Sequence, residues 1–240
     1  MNFTVPQIGF DRFIQLDWVT AALNVRAGIA DLDDLNTLLD AASLGVAARK
    51  KTRTVLNRLW LEPRPELVEF ANRGVKIHER NPDILSPALS WGMAIVTYPF
   101  FGKVAELVGR LSALQGDCAS TEVHRRMSEI YGEREGTYRM TNMVLQSQAN
   151  WGALERVAKG KRLVRRGLMT LDDDQAVAWL VEAALRYAGR PVPVQALQSM
   201  AVIYPFMLDQ PLAYLVSNSP SLELRAEGSN NQLVTLSASI

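Results

Sequence analysis

The sequence predicts a mainly α protein: a helical bundle with winged-helix-like unit(s) carrying small β-hairpins. Three observations carry that expectation. Apolar residues recur at helical spacing through most of the first two thirds of the chain, and two strand-compatible stretches are each interrupted by turn residues. Between Ser120 and Leu168 the order reads helix, turn, helix, hairpin, which is the order of a winged helix. With 240 residues, 48% apolar and 21% charged, the chain has the composition of one large domain or two to three small ones.

The expected division is an N-terminal helical domain over 1–90, a winged-helix-like domain with a basic hairpin over 91–170, and a C-terminal helical unit with a second small hairpin over 171–240. In the first segment, Thr52, Val55, Leu56, Leu59 and Trp60 form one apolar stripe, and Arg49, Lys50, Lys51, Arg53 and Arg58 lie mostly off it. Glu62-Pro63-Arg64-Pro65 ends that helix, because proline lacks the amide proton and pushes its predecessor out of the helical region. A helix over PELVEFANRGVKIHER follows, and Asn81-Pro82 closes the segment.

Two helices are expected to meet at Tyr98-Pro99. Ser120 is placed as the cap of the next helix, and Gly132 and Gly136 bracket a turn before TYRMTNMVLQSQANWG. Lys159-Gly160-Lys161 then reads as a tight hairpin turn. Asp172-Asp173-Asp174 suits the N-terminus of the following helix, where backbone amides and the helix dipole favour carboxylates. Beyond Pro193 the reading is a helix VQALQSMAVIY, a short helix QPLAYLVSNS, and a second hairpin from LELRAE and QLVTLS around residues 228–231. MAIVTYPFF at 93–101 and MAVIYPFML at 200–208 form an internal echo consistent with a duplicated helical-plus-hairpin unit.

The formal net charge is only +1, so attraction to a polyanion must come from where the charge is placed. Of the 26 Lys and Arg residues, Arg156, Lys159, Lys161, Arg162, Arg165 and Arg166 crowd into one hairpin. Protecting an edge strand needs fewer charges than that. A three-residue loop pairing Val157 with Leu163 and Glu155 with Arg165 would present Lys159, Lys161, Arg162 and Arg166 to solvent, within reach of phosphates. On the preceding helix Arg139, Asn142, Gln146 and Asn150 share a narrow arc and are residue types that pair with guanine and adenine edges. Thr141 and Gln148 fit that helix less well, since they fall on its core side. A second basic set, Arg49, Lys50, Lys51 and Arg53, sits on what reads as the second helix of an N-terminal helix-turn-helix.

Other chemistry has no signature. His78, His124 and Cys118 are not in zinc-like spacing, and there is no phosphate loop, dinucleotide fingerprint, nucleophile elbow or HExxH. The expectation is therefore a non-enzymatic chain without metal or cofactor. A single cysteine and an N-terminus without a basic-then-apolar signal predict a cytoplasmic protein, and the most apolar run, WGMAIVTYPFFG, is too short to span a bilayer.

Trp18 in an early helix, TRTVLNRLWLEPRPELVEF, the aromatic TYPFF segment and TYRMTNMVLQSQANWGAL together resemble the BrxA family, small helical proteins of bacterial BREX phage-exclusion systems. The likeness covers about two thirds of the chain; the tail after Gly189, with its second hairpin, departs from it. The resemblance implies a small DNA-binding component of a multi-gene antiviral defence system, with double-stranded DNA and other proteins of that system as partners. The residues themselves leave two further readings open. One is an adaptor that docks larger subunits, favoured if Tyr98–Phe101 or Tyr204–Phe206 were exposed. The other is a winged-helix transcriptional regulator, which needs a two-fold dimer.

Overall fold

The computed structural model describes residues 9–226 and 232–237. The described residues are mainly helical, with three small sheets among them. The first three helices are α1 (Leu16–Arg26), α2 (Leu32–Ala41) and α3 (Val46–Leu56). A capping box between Asp31 and Asp34 starts α2. The stripe Thr52, Val55, Leu56, Leu59 and Trp60 is buried throughout, and α3 runs on as a π-helical turn over Asn57–Leu61 before the prolines stop it.

Next come α4 (Val68–His78), α5 (Pro82–Thr97) and α6 (Pro99–Leu111). Pro82 and Pro99 each stand at a first helical position, where the missing amide proton costs nothing. Asn81-Pro82 thus opens a helix as well as closing the previous segment. The expected boundary at residue 90 falls inside α5, which packs on α1, α4, α6 and the later helix α9 (Asp174–Ala188). One continuous apolar core takes in residues of all three expected segments. At its centre Trp91 meets Phe101, Trp151, Tyr204 and Phe206 edge-on, with ring centroids 5.2 to 6.3 Å apart. Trp179 of α9 stacks on Phe70 at 4.1 Å, and Gly92 lets α5 approach it, since a Cβ there would overlap the Trp179 ring.

After α6 the chain forms β1 (Asp117–Ala119), α7 (Ser120–Tyr131), α8 (Glu135–Asn150), β2 (Leu154–Val157) and β3 (Arg162–Arg165). These strands make an antiparallel sheet in the order β1-β3-β2. Met169–Thr170 (β4) pairs in parallel with Phe206–Met207 (β6). A second antiparallel sheet has β5 (Val192–Pro193), β8 (Gln232–Leu236) and β7 (Leu222–Ala226) in that spatial order, with α10 (Leu212–Ser217) before β7. Both sheets therefore place their third strand between the first and the second, and each has helical segments between its first and second strands.

The sequence echo is out of phase with this repeat. TYPFF leads into α6, ahead of the first sheet, whereas IYPFM lies between β5 and α10, inside the second. Two further readings are corrected. The helix expected over 194–204 is two 3₁₀ segments, Val194–Ser199 and Ala201–Ile203. Ser120 does not cap α7 with its side chain; its amide and Oγ both donate to the Lys161 carbonyl, at 2.9 and 3.1 Å. Asp172-Asp173-Asp174 stands at the start of α9 as expected: Asp173 is the N-cap and accepts from the Ala176 amide at 2.8 Å, and Asp174 lies in the first turn. The turn expected at 228–231 lies outside the described residues.

Candidate nucleic-acid interface

The hairpin is displaced by one residue from the expected pairing. Val157 faces Arg162, Arg156 faces Leu163, and Leu154 faces Arg165. The turn has four residues rather than three, with Ala158, Lys159 and Gly160 all at positive φ (49°, 56° and 80°). Because strand side chains alternate faces, a one-residue slip exchanges inner and outer positions. Leu154, Arg156, Leu163 and Arg165 share one face, whose Leu154 and Leu163 are buried.

Two of the six hairpin cations are consequently built into the fold. Arg165 donates from Nε to Ser112 Oγ at 2.6 Å and from Nη2 to the Gly109 carbonyl, and its guanidinium lies 5.1 Å from the Tyr204 ring centroid. Arg156 donates from Nη2 to Asn142 Oδ1 at 2.6 Å and packs under the turn, where a Cβ on Gly160 would sit 2.8 Å from that nitrogen. Burial lowers the pKa of both arginines. Arg162 is exposed but paired with Asp117, 2.6 Å away. Lys159, Lys161 and Arg166 are exposed and have no ion pair among the described residues.

On α8, Arg139 is exposed and unpaired among the described residues, and Gln146 is half-buried. Asn150 is committed elsewhere, because its Oδ1 accepts from the Leu16 amide at 2.7 Å. Two further bonds join the same places: the Ile14 amide donates to Ser147 Oγ and Trp151 Nε1 donates to the Ile14 carbonyl, each at 2.9 Å. The chain before α1 therefore caps the C-terminal end of α8, and the positions left at least partly accessible upstream of it include Tyr138, Arg139, Asn142 and Gln146. Thr141 and Gln148, awkward on the core side by sequence, are fully buried. Thr141 donates back to the Thr137 carbonyl and Gln148 accepts from the Tyr204 hydroxyl.

Sequence reasoning missed His124 and Tyr138. Their rings stack with centroids 4.0 Å apart beside Arg156, which joins α7, α8 and the hairpin. Burial, with the nearby Arg156 charge, pushes the His124 imidazole down to about 4. Tyr138 is 60% exposed, so the stack is open to solvent on its outer side.

The second basic set is engaged within the N-terminal helices. Arg49 pairs with Asp40 at 2.9 Å, Lys51 with Asp11 at 3.3 Å, and Arg53 donates to Asn36 and Asn57. Lys50 is exposed and unpaired among the described residues. No group of three or more potential metal ligands occurs among the described residues, and no helix there is long and apolar enough to cross a membrane. Tyr98, Phe100, Phe101, Tyr204 and Phe206 are all buried, which removes the exposed aromatics that would favour an adaptor.

The geometry defines a mainly helical protein with a cationic hairpin set beside a half-buried helix. No family model matches the chain, and no curated protein or solved structure matches it either.

Proposed function

We propose that this protein is a non-enzymatic, double-stranded DNA-binding component of a bacterial anti-phage defence system, acting in the cytoplasm. The observation that carries the reading is the succession α6, β1, α7, α8, β2, β3 with strand order β1-β3-β2, the arrangement expected of a winged helix. In such a unit the second helix of the turn, here α8, approaches the major groove and the hairpin lies along the backbone. Lys159, Lys161 and Arg166 are the phosphate contacts, with Arg139 at the exposed start of α8. Exposed, unpaired cations release counterions from DNA without first breaking a protein contact. Arg156 and Arg165 serve instead to hold the hairpin against α8 and the C-terminal segment. The defence context rests on the resemblance of the Trp18, RLWL, PELVEF and TYPFF features to the BrxA family.

The test is fluorescence anisotropy of a labelled random-sequence duplex at several salt concentrations. Four phosphate contacts predict a slope of log affinity against log salt of roughly −3 to −4. Lys159→Glu/Lys161→Glu/Arg166→Glu should abolish binding while leaving the thermal midpoint unchanged. Unaltered binding by that triple variant would refute the interface. Absence of binding by the native protein at low salt would refute the function, and would move the basic hairpin to an acidic protein partner.

A further inference from the structure

Arg156 does more than brace the hairpin, because it decides which end of the Asn142 amide faces outward. A guanidinium carries only donors, so the Asn142 atom 2.6 Å from Arg156 Nη2 is the oxygen, Oδ1. The oxygen end of the amide is thereby turned into the seam between α8 and the hairpin. The Nδ2 end has no acceptor among the described residues and is not sealed from solvent. Asn142 is among the positions of α8 left partly accessible upstream of the cap made by the N-terminal segment, on the same arc as Arg139.

We propose that Asn142 is a specificity-determining residue held by Arg156 as an outward hydrogen-bond donor, favouring guanine over adenine in the major groove. The proposal rests on the duplex-binding reading above. Asparagine reads adenine by a pair of bonds, its oxygen accepting from N6 while its nitrogen donates to N7. With the oxygen turned towards Arg156, the amide presents its nitrogen to the groove rather than the pair. A lone amide nitrogen meets two adjacent acceptors, N7 and O6, on guanine, but on adenine only N7 beside the N6 donor and on thymine only O4. Arg156 is a positioning residue in this scheme: it acts through Asn142 and touches no base.

The experiment is competition anisotropy between duplexes of equal length with alternating G·C or alternating A·T centres, using the full chain and two variants. The native protein should prefer the G·C duplex by about 5- to 10-fold. Asn142→Ala should bring the preference to near unity with the salt slope unchanged, since no phosphate contact is lost. Arg156→Met frees the amide to rotate, and the preference should fall or shift towards A·T. Asn142→Ala leaves Arg156 in place and keeps the test decisive if Arg156→Met fails to fold. Binding without a G·C preference, or a preference that survives Asn142→Ala, overturns the proposal but leaves duplex binding standing. No binding to either duplex overturns the function itself.

Discussion

The Arg165 guanidinium lies over the Tyr204 ring, 5.1 Å from its centroid, while its Nε holds Ser112 Oγ at 2.6 Å. One side chain thus joins the end of the basic hairpin to α6 and to the segment that follows the 3₁₀ turns. It is a cation in the most basic stretch of the chain, and it is spoken for.

Arg165→Ala should therefore cost about 3 kcal/mol of stability, combining charge-assisted hydrogen bonds with a partly desolvated cation–π contact. Lys159→Ala, a few residues away on the exposed turn, should change stability by less than about 0.5 kcal/mol. Urea denaturation of the two variants side by side measures the difference. Equal stability would mean that the contacts of Arg165 are not made in solution.

His124 predicts a pH dependence. Its folded pKa of about 4 lies below its ordinary 6.5, and its Nδ1 is buried without a partner beside Arg156 and Tyr138. Between those values the unfolded chain takes up a proton that the folded chain refuses. Stability is therefore level above pH 6.5 and falls as pH drops towards 4. From pH 7 to pH 5 the loss from this residue is about 2 kcal/mol. His124→Phe, which can keep the stack, should flatten that part of the profile in denaturation measured at each pH. A slope identical to the native protein would assign the loss to other groups.

Glu182 is the third case. Its carboxylate is fully buried on α9, accepting two bonds from Arg73 Nη2 at 2.7 and 2.8 Å and one from Arg186 Nε at 2.8 Å. Glu182→Gln leaves two guanidinium groups facing a neutral amide. Removing one member of a buried ion group typically costs 3–5 kcal/mol, and Arg73 is partly exposed, so about 3 kcal/mol is expected here. Thermal unfolding followed by circular dichroism reads it, and an unchanged midpoint would show that the pair contributes nothing net.

What was legible in the sequence was local. The stripe from Thr52 to Trp60 repeats at the helical period, and Pro65 and Pro99 each mark a helix start, so these helices and their buried faces follow from nearest neighbours alone, whereas Pro82 reads as a close and in fact opens α5. The helix–turn–helix–hairpin order is of the same kind. Strand β1 was not legible: Asp117–Ala119 is a strand only because β3, some 45 residues later, pairs with it. Nor was the hairpin register, which depends on Ala158 and Lys159 adopting left-handed conformations that neither residue favours. That slip decides the fate of Arg156 and Arg165. Composition treats all six hairpin cations alike; the inner face of β2–β3 takes two of them, and Asp117 claims a third. The echo at 93–101 and 200–208 suggested a repeat, but the strand orders that correspond lie at a different phase.

The three bonds by which Ile14 and Leu16 grip Ser147, Asn150 and Trp151 set an order of events during synthesis. The segment that leads into α1 is anchored on the end of a helix completed about 130 residues later. At roughly 5–20 residues per second that is a wait on the order of ten seconds. Meanwhile α1 itself can pack on α2, α3 and α5, which are made well before α8. The anchor before α1 is thus set long after the helix it precedes has met its neighbours.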